Sequence, residues 1–312
     1  MKRSLLLLVL LVVLVGIYWL VQSKEPVAPP DRPFVSVDSA QVTSLRIETA
    51  TDTVALAKRG GGWMLTYPRE FPATVRTIDM ALGKFAEMKK LSLITNKPDR
   101  FNEFQVSDSA GTKVTVEAAG KTTVFYLGKG GPTATTCYAR LDGSNDVWEI
   151  AGNQTPTFKR SARDWRDKSI SEINRDNFVA FTFGYPNETF SVTLVDTNWV
   201  ANRGTEKYDA DKNQVDRVVG LLSKMSGVDF ADTLSASAFD QPDLHLTVET
   251  RDGQTLDLKL IPKDAEGKQY FLRKAGALAD YVIYKSTADV LMKKWDEFKP
   301  KPKTEAEVSA KK

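Results

Sequence analysis

His245 is the only histidine of the chain and therefore the first residue to consider for acid–base chemistry. It lies between Leu244 and Leu246 in an alternating run, so that on a strand its imidazole points away from the face that the two leucines share. A catalytic histidine needs a nucleophile and an orienting carboxylate beside it, and the neighbouring sequence contains no motif for either. The pattern predicts a solvated surface histidine.

The segment Gly128–Thr133 contains the glycines and the lysine of a phosphate-binding loop. In a P-loop, four residues separate the first glycine from Gly-Lys-Ser/Thr, which opens a helix whose N–H groups surround the phosphates. Here Gly-Lys comes first, a proline follows, and the flanking runs alternate as strands do. The segment therefore predicts a hairpin loop, and the glycines Gly60–Gly62 predict a turn.

Carboxylates are numerous, and a pair about 5–9 Å apart could cleave a glycosidic bond. One polar segment mixes both charges in alternation: Asp164, Asp167 and Glu172 with Arg163, Arg166 and Lys168. Such alternation predicts an ion-paired surface segment. The single cysteine, Cys137, can form no internal disulfide and offers no metal cluster. We assign no catalytic residue, no cofactor-binding residue and no metal ligand, and expect a protein that is not an enzyme.

Tryptophans could instead stack on a carbohydrate. Trp63 and Trp199 recur at similar places in the two halves of the chain, and so do Trp165 and Trp295. Recurrence in two halves favours a structural role, because a tryptophan ring buries a large apolar area. We predict that these four side chains, together with Trp148, anchor two hydrophobic cores.

The halves resemble each other in more than tryptophan. Val114–Glu117 has the same pattern as Leu246–Glu249, and Tyr138–Arg140 has a counterpart in Tyr270–Arg273. We predict two tandem repeats, at residues 41–172 and 173–298. This organisation agrees with a chain of 312 residues, since a domain averages about 100–200 residues.

Each repeat combines strand and helix patterns. Short alternating runs separated by Gly or Asp turns predict antiparallel hairpins. Apolar residues spaced by three and four predict a helix after Thr74, a helix from about Asp211, and a last helix over Thr287–Phe298. The helical stripes are Val75, Ile78, Leu82, Phe85 and Met88 in the first repeat and Val215, Val218, Leu222 and Met225 in the second. The predicted fold class is α+β, with antiparallel strands packed against one or two helices per repeat.

The N-terminus predicts a membrane anchor. The uncharged run Leu5–Val21, roughly 17 residues, is just long enough for a hydrocarbon core of about 30 Å. Lys2 and Arg3 precede it, which places residues 1–4 in the cytoplasm and the rest of the chain outside. A cleaved signal peptide is the competing interpretation, but the run ends in aromatic residues rather than at a small-residue cleavage site. A Pro-rich linker follows at 22–40, and a disordered Lys/Pro/Glu tail ends the chain at 299–312.

Composition narrows the function classes further. With 42% hydrophobic and 27% charged residues, the chain is typical of globular proteins. The net charge of +3 includes Lys2 and Arg3, so the soluble part is nearly neutral. Because nucleic-acid binding requires a clustered basic face, we expect no nucleic-acid partner.

The chain also resembles a known bacterial family. The resemblance rests on the anchor with its proline spacer and on four segments: Trp63–Pro68, Tyr138–Arg140, Val147–Ile150 and Trp165–Ile170. Together these features are similar to the domain-of-unknown-function family DUF 4340. The resemblance implies an anchored extracytoplasmic protein of the inner membrane, with an ABC transporter permease and its gliding-motility-type auxiliary subunit as partners. It implies no catalytic residues.

The sequence thus favours a non-enzymatic, single-pass protein of the cell envelope that serves as an accessory or scaffold subunit of an ABC-transporter-associated complex. Two alternatives remain open. A lipid or glycan carrier would need a concavity between sheet and helices. A hydrolase of the envelope would need a carboxylate pair lining a cleft.

Overall fold

A computed structural model describes residues 32–300, and the chain divides between Asp167 and Lys168 into two units. The predicted anchor at 5–21, the cytoplasmic residues 1–4, most of the linker and most of the C-terminal tail lie outside the described residues. Within residues 32–300, none of the helices combines the length and the apolar content needed to cross a bilayer.

Over residues 32–167, the first unit contains one antiparallel nine-stranded sheet and four α-helices. From one edge to the other, its strand order is β4-β3-β2-β1-β6-β7-β8-β9-β5. In chain order the elements are β1 Val42–Glu48, β2 Thr53–Arg59, β3 Gly62–Tyr67, β4 Phe71–Pro72, α1 Val75–Glu87, β5 Lys90–Thr95, α2 Phe101–Phe104, β6 Thr112–Ala118, β7 Lys121–Gly130, β8 Thr136–Leu141, β9 Val147–Ala151, α3 Thr155–Phe158 and α4 Ala162–Trp165.

The core of this unit is formed by alternate residues of its strands, which point to the same face of the sheet. Leu45 and Ile47 of β1 face the same side and are opposite Val116 and Val114 of β6, and all four are buried. Helix α1 buries the face formed by Thr77, Ile78, Ala81, Leu82 and Phe85. The predicted stripe is wrong at its first residue: Val75 is 61% exposed, and burial begins two residues later, at Thr77.

The second unit contains another antiparallel nine-stranded sheet, ordered β14-β13-β12-β11-β17-β18-β19-β20-β16, and a two-stranded sheet of β10 and β15. Its elements are β10 Ser169–Glu172, β11 Phe178–Gly184, β12 Thr189–Val195, β13 Asn198–Arg203, β14 Glu206–Asp209, α5 Lys212–Leu222, β15 Lys224–Ser226, β16 Asp229–Phe230, β17 Leu244–Thr250, β18 Thr255–Pro262, β19 Gln269–Lys274, β20 Tyr281–Tyr284 and α6 Lys285–Leu291.

Helix α5 begins where the sequence predicts, because the Asp211 carboxylate accepts the N–H of Asn213 and caps the first turn. Its stripe of Val215, Val218 and Leu222 is buried, but the last residue of the predicted stripe, Met225, lies on β15 after the helix has ended. The predicted helix Thr287–Phe298 is wrong in its extent. Helix α6 ends at Leu291, and a separate 3₁₀ turn forms at 295–298, because the carboxylate of Glu297 accepts the N–H of Lys294 at 2.8 Å and starts a new turn.

The two nine-stranded sheets have the same strand order, with β1–β4 in the places of β11–β14 and β6–β9 in the places of β17–β20. Matching backbone hydrogen bonds occur beside the long helices: the N–H of Ala73 donates to the Trp63 carbonyl, and that of Ala210 to the Trp199 carbonyl. Each unit is therefore mainly antiparallel sheet with a few helices, an α+β arrangement.

Candidate functional site

His245 lies on β17 with its imidazole on the face opposite Leu244 and Leu246, as the alternation predicts. Its side chain is 42% exposed, and its Nε2 lies 2.7 Å from Oδ2 of Asp257 on β18. Sequence analysis missed this carboxylate, since it is twelve residues away and only the β17–β18 register brings it close. The pair supplies one of the two partners that a catalytic histidine requires.

An open groove of about 660 Å³ adjoins His245. It is lined by the turn residues 184–186 and 240–243 and by Lys259, which is paired with His245 across the two strands. Among these lining residues, all of which the structure describes, there is no serine, threonine or cysteine to act as a nucleophile. The groove thus presents an imidazole, an ammonium and carboxylates, groups that can hydrogen-bond to a polar ligand.

Tyr185 is the hydroxyl-bearing residue of this groove. Its hydroxyl donates to the Lys293 carbonyl at 2.7 Å, and the Lys294 ammonium lies 3.5 Å from its ring centroid. Burial, reinforced by the carboxylates of Glu297 and Glu188, raises the pKa of Tyr185. The phenol therefore stays protonated near neutral pH and serves as a structural donor. Within residues 32–300, no group of three or more His, Cys, Asp or Glu side chains is placed to hold a metal ion.

The tryptophans divide into two classes. Trp165 and Trp295 are 0% and 2% exposed, which confirms their prediction as core residues. The prediction is wrong for three that are only half-buried: Trp63, Trp148 and Trp199. Each of these three lies on a strand next to an edge strand of its sheet, where fewer elements cover it.

Two backbone contacts at the starts of α1 and α5 are alike. The N–H of Thr74, at the start of α1, donates to the Trp165 carbonyl, and the N–H of Asp211, at the start of α5, donates to the Phe298 carbonyl. Trp165 and Phe298 thus make the same kind of backbone contact, and the predicted match of Trp165 with Trp295 stays a prediction. Both aromatic residues end a one-turn helix whose third residue is acidic and accepts the N–H that precedes the turn.

The polar segment around Trp165 is a surface segment only in part: Arg163, Asp164 and Glu172 are exposed as predicted, but Arg166 is buried. The Asp164 carboxylate accepts the N–H of Ser161 at 3.2 Å and caps α4. Arg166 is only 5% exposed, and its guanidinium carbon lies 4.3 Å from the Phe71 ring centroid. Burial of a guanidinium over an aromatic face gives this part of the segment a role in packing.

The predicted hairpin is confirmed, but its loop is displaced: β7 extends to Gly130 and β8 begins at Thr136, so Gly128 lies on the strand and residues 131–135 form the loop. Gly128 itself is fully packed. A β-carbon there would overlap the carbonyl oxygen of Phe104 and lie 2.9 Å from Cγ1 of Val106. Glycine is thus required at this position by the close approach of the chain around α2.

We expect Gly128→Ala to destabilise the first unit by about 1–3 kcal/mol, because the added carbon overpacks a backbone contact that cannot rotate away. Gly83→Ala is the matched control. Gly83 lies within α1, and a methyl group added there would meet open space, so alanine should stabilise the protein by about 0.5–1 kcal/mol. Urea unfolding of both variants measures the change in the free energy of unfolding, which should have opposite signs. A Gly128→Ala variant as stable as the unmodified protein would contradict the close packing at Gly128.

Sequence analysis missed the role of Arg140. This side chain on β8 is 7% exposed, and its guanidinium lies 4.3 Å from the ring centroids of both Phe101 and Tyr126. Its Nε donates to the Val106 carbonyl at 3.0 Å. Arg140 therefore fastens the 98–106 segment onto the sheet. On β19 of the second unit, Arg273 similarly contacts the Phe239 ring at 4.3 Å.

Cys137 is fully buried on β8, and its thiol donates to the Gly152 carbonyl at 3.3 Å. Burial raises the pKa of the Cys137 thiol, so the reactive thiolate is scarce near neutral pH. We expect 5,5′-dithiobis(2-nitrobenzoate) to label the folded protein at least about 1000-fold more slowly than the urea-unfolded chain, because labelling requires opening of the first unit. Complete labelling of the folded protein within seconds would contradict this environment.

The edge strand β5 exposes apolar side chains. It pairs with β9 along one side, and its leucines Leu91 and Leu93 are 42% and 44% exposed. Leu93 is opposite the half-buried Trp148 of β9. An apolar cluster therefore lies in solvent at the edge of the first sheet.

The comparisons with known proteins return a family. A model described as Domain of unknown function (DUF4340) matches residues 63–247, which is more than half of the chain. The matched part spans both units, from Trp63 on β3 to Thr247 on β17. No curated protein and no solved structure matches the chain.

Proposed function

Because the chain belongs to the DUF4340 family, whose model is defined without an activity, we propose from its surfaces that it acts by binding a protein partner. In this proposal it is a non-enzymatic, membrane-anchored extracytoplasmic protein. Its role is that of an accessory or scaffold subunit in a complex built around an ABC transporter. The observation that carries the proposal is the exposed edge strand β5 in the first unit.

Edge strands with exposed apolar residues are uncommon in proteins that act alone, because their unpaired N–H and C=O groups invite association. Leu91 and Leu93 both project from such an edge, beside the partly exposed ring of Trp148. Exposed apolar clusters of this kind mark protein-binding sites more often than they serve packing. The feature suits a docking subunit better than a catalyst.

We further propose that the two units are tandem repeats. The identical strand order supports this proposal, and so do the equivalent contacts at the starts of α1 and α5. The groove beside His245 and the apolar edge of β5 lie in different units. A scaffold made of two copies of one fold could thus present different surfaces while keeping the same core.

The membrane placement rests on the uncharged run Leu5–Val21 and on the cations Lys2 and Arg3 ahead of it. A single helix cannot form a transport path, so the chain would assist a transporter rather than be one. An ABC transporter permease and a gliding-motility-type auxiliary subunit are the partners that the family resemblance suggests.

A mild-detergent pull-down of the full-length protein from its own membranes tests the proposed function. We expect mass spectrometry to recover an ATPase and a polytopic permease in amounts comparable with the bait. An unrelated single-pass protein carrying the same tag is the control. Recovery of the bait alone, or of the same proteins with the control, would refute the transporter-accessory role.

The groove beside His245 supports a second candidate, a glycan carrier. Its lining of Asp240, Asp243, His245 and Lys259 offers donors and acceptors suited to hydroxyl groups, whereas a lipid tail requires an apolar lining. A bound saccharide in the purified protein, lost in His245→Ala, would favour this candidate. Purified protein without saccharide would exclude it.

A further inference from the structure

We propose that the second unit binds a sugar ring at Trp199, and that this ring is a β-configured hexopyranose of a glycan. The site shares no lining residue with the groove beside His245. The inference goes beyond the proposed function, because it needs no protein partner. Trp199 is one of the tryptophans that the sequence predicts as core residues and that the structure leaves half-buried. Its ring is therefore available for the other role considered for tryptophan, stacking on a carbohydrate.

A hollow of about 120 Å³ adjoins this ring. Trp199 and Ala210 line it together with four polar side chains: Thr197, Asn198, Asp209 and Lys212. Within residues 32–300, none of these four side chains makes a hydrogen bond or an ion pair, so all four are available to a ligand. The hollow is much smaller than the 660 Å³ groove beside His245, so it holds one ring and leaves the rest of a glycan in solvent.

The indole of Trp199 is held in place by its neighbours. On β13 it lies opposite Leu194 of β12, and its ring centroid is 5.3 Å from that of the buried Phe181, with 34° between the ring planes. The N–H of Ala210 donates to the Trp199 carbonyl at 2.7 Å, which fixes the backbone beside the hollow. A ring that is already ordered loses little conformational entropy when a ligand stacks on it.

The corresponding strand of the first sheet carries a tryptophan in a different environment. Trp63 on β3 lies opposite Lys58 of β2, whose ammonium is 5.6 Å from the ring centroid. At Trp199 the residue in this place is the apolar Leu194. A cation already interacts with the first ring, whereas an apolar neighbour leaves the second ring to a ligand. Trp63 is therefore a matched control for Trp199.

The chemistry of the lining selects the ligand. All ring substituents of a β-glucopyranose are equatorial, so its axial C–H groups form an apolar face that packs on the negative face of an aromatic ring. Its hydroxyl groups donate and accept hydrogen bonds, which suits the Asp209 carboxylate as an acceptor and the Lys212 ammonium as a donor. An acyl chain would instead cover these polar groups without pairing them, which is unfavourable.

Saturation-transfer difference NMR with methyl β-cellobioside tests the site in the full-length protein. The detergent must have no sugar head group, since such a head group would compete for the hollow. We expect transfer at millimolar glycoside, strongest at the ring protons H1, H3 and H5, which share one face of the sugar. Sorbitol has comparable hydroxyl groups but no ring to stack, so it should show no transfer.

Variants locate the binding. Trp199→Ala should lower the transfer at least about tenfold, as expected for the loss of a stacking ring. Trp63→Ala and His245→Ala should leave the transfer unchanged, because neither residue lines the hollow. Urea unfolding shows whether Trp199→Ala is folded. If it is not, Asp209→Ala replaces it, since Asp209 is exposed and its loss should also lower the transfer.

The C-terminal residues are a competing occupant of the hollow. The N–H of Asp211 donates to the Phe298 carbonyl at 2.7 Å, so residues 301–312 begin close to the site. A variant that ends at Pro300 should therefore bind the glycoside as the full chain does. Transfer seen only in that shortened variant, no transfer from the full chain, equal transfer to sorbitol, or unchanged transfer in a folded Trp199→Ala variant would overturn the inference. None of these results bears on the pull-down, so the proposed function is tested separately.

Discussion

Trp165→Ala is expected to increase the rate of Cys137 labelling in the folded protein at least about 100-fold. Trp165 is 0% exposed, and substitution of a buried tryptophan by alanine costs about 3–5 kcal/mol in lost burial and cavity formation. Each 1.4 kcal/mol changes the population of the open state about tenfold. Since Cys137 lies in the same unit, its labelling reports that population directly.

The faster labelling of Trp165→Ala should result from the loss of ring volume and not from the loss of a polar contact. Within the described residues, the indole N–H of Trp165 is buried without a hydrogen-bond partner. The main-chain carbonyl that accepts the Thr74 N–H at 2.9 Å is unchanged by any side-chain substitution. Trp165→Phe keeps most of the apolar volume and should therefore accelerate labelling much less than Trp165→Ala.

Trp63→Ala is the control for tryptophan removal in the same unit. Its ring is half-buried, with the Lys58 ammonium 5.6 Å from the ring centroid, so truncation leaves no closed cavity. We expect a clearly smaller acceleration than for Trp165→Ala. Equal effects of the two alanine substitutions would show that burial of Trp165 does not stabilise this unit.

Arg140→Met is expected to destabilise the first unit by at least about 3 kcal/mol and to release the 98–106 segment. A hydrogen bond to a charged donor contributes about 1.5–3 kcal/mol, and a desolvated cation–π contact contributes about 2 kcal/mol. Arg140 makes one such contact with Phe101 and another with Tyr126, and it donates to the carbonyls of Val106 and Ser144. Methionine fills the volume but leaves both carbonyls without this donor.

Hydrogen–deuterium exchange checks the location of this effect. Amide protection in Arg140→Met should fall first over 98–106, and Cys137 labelling should accelerate. Arg140→Lys should be intermediate at best, because an ammonium cannot lie flat between two rings while donating in two directions. Arg46→Met is the matched control, since Arg46 is half-exposed with Glu48 at 3.0 Å and should change stability by less than about 0.5 kcal/mol. Unchanged protection over 98–106 in Arg140→Met would refute the fastening role.

Local periodicity is what the sequence by itself determined. The stripes that include Ile78 and Val215 predict α1 and α5, because a helix repeats its buried face every three to four residues. Alternation likewise places the imidazole of His245 away from its leucine neighbours, since successive side chains on a strand point to opposite faces. Both signals lie within a few residues of the chain, so no knowledge of long-range contacts is needed to use them.

The tertiary structure alone decided which distant segments meet. Asp257 reaches His245 only through strand register, and Arg140 is buried because the 98–106 segment packs against it. Similarly, β5 becomes an exposed edge because it pairs with β9, more than fifty residues later in the chain. Strand pairing and the packing of one segment against another produce no periodic pattern within either segment. Both depend on the free energy of the assembled sheet, to which distant residues contribute. The exposed edge that supports the proposed protein binding is therefore a feature that sequence patterns could not predict, whereas the proposed membrane placement rests on the sequence alone.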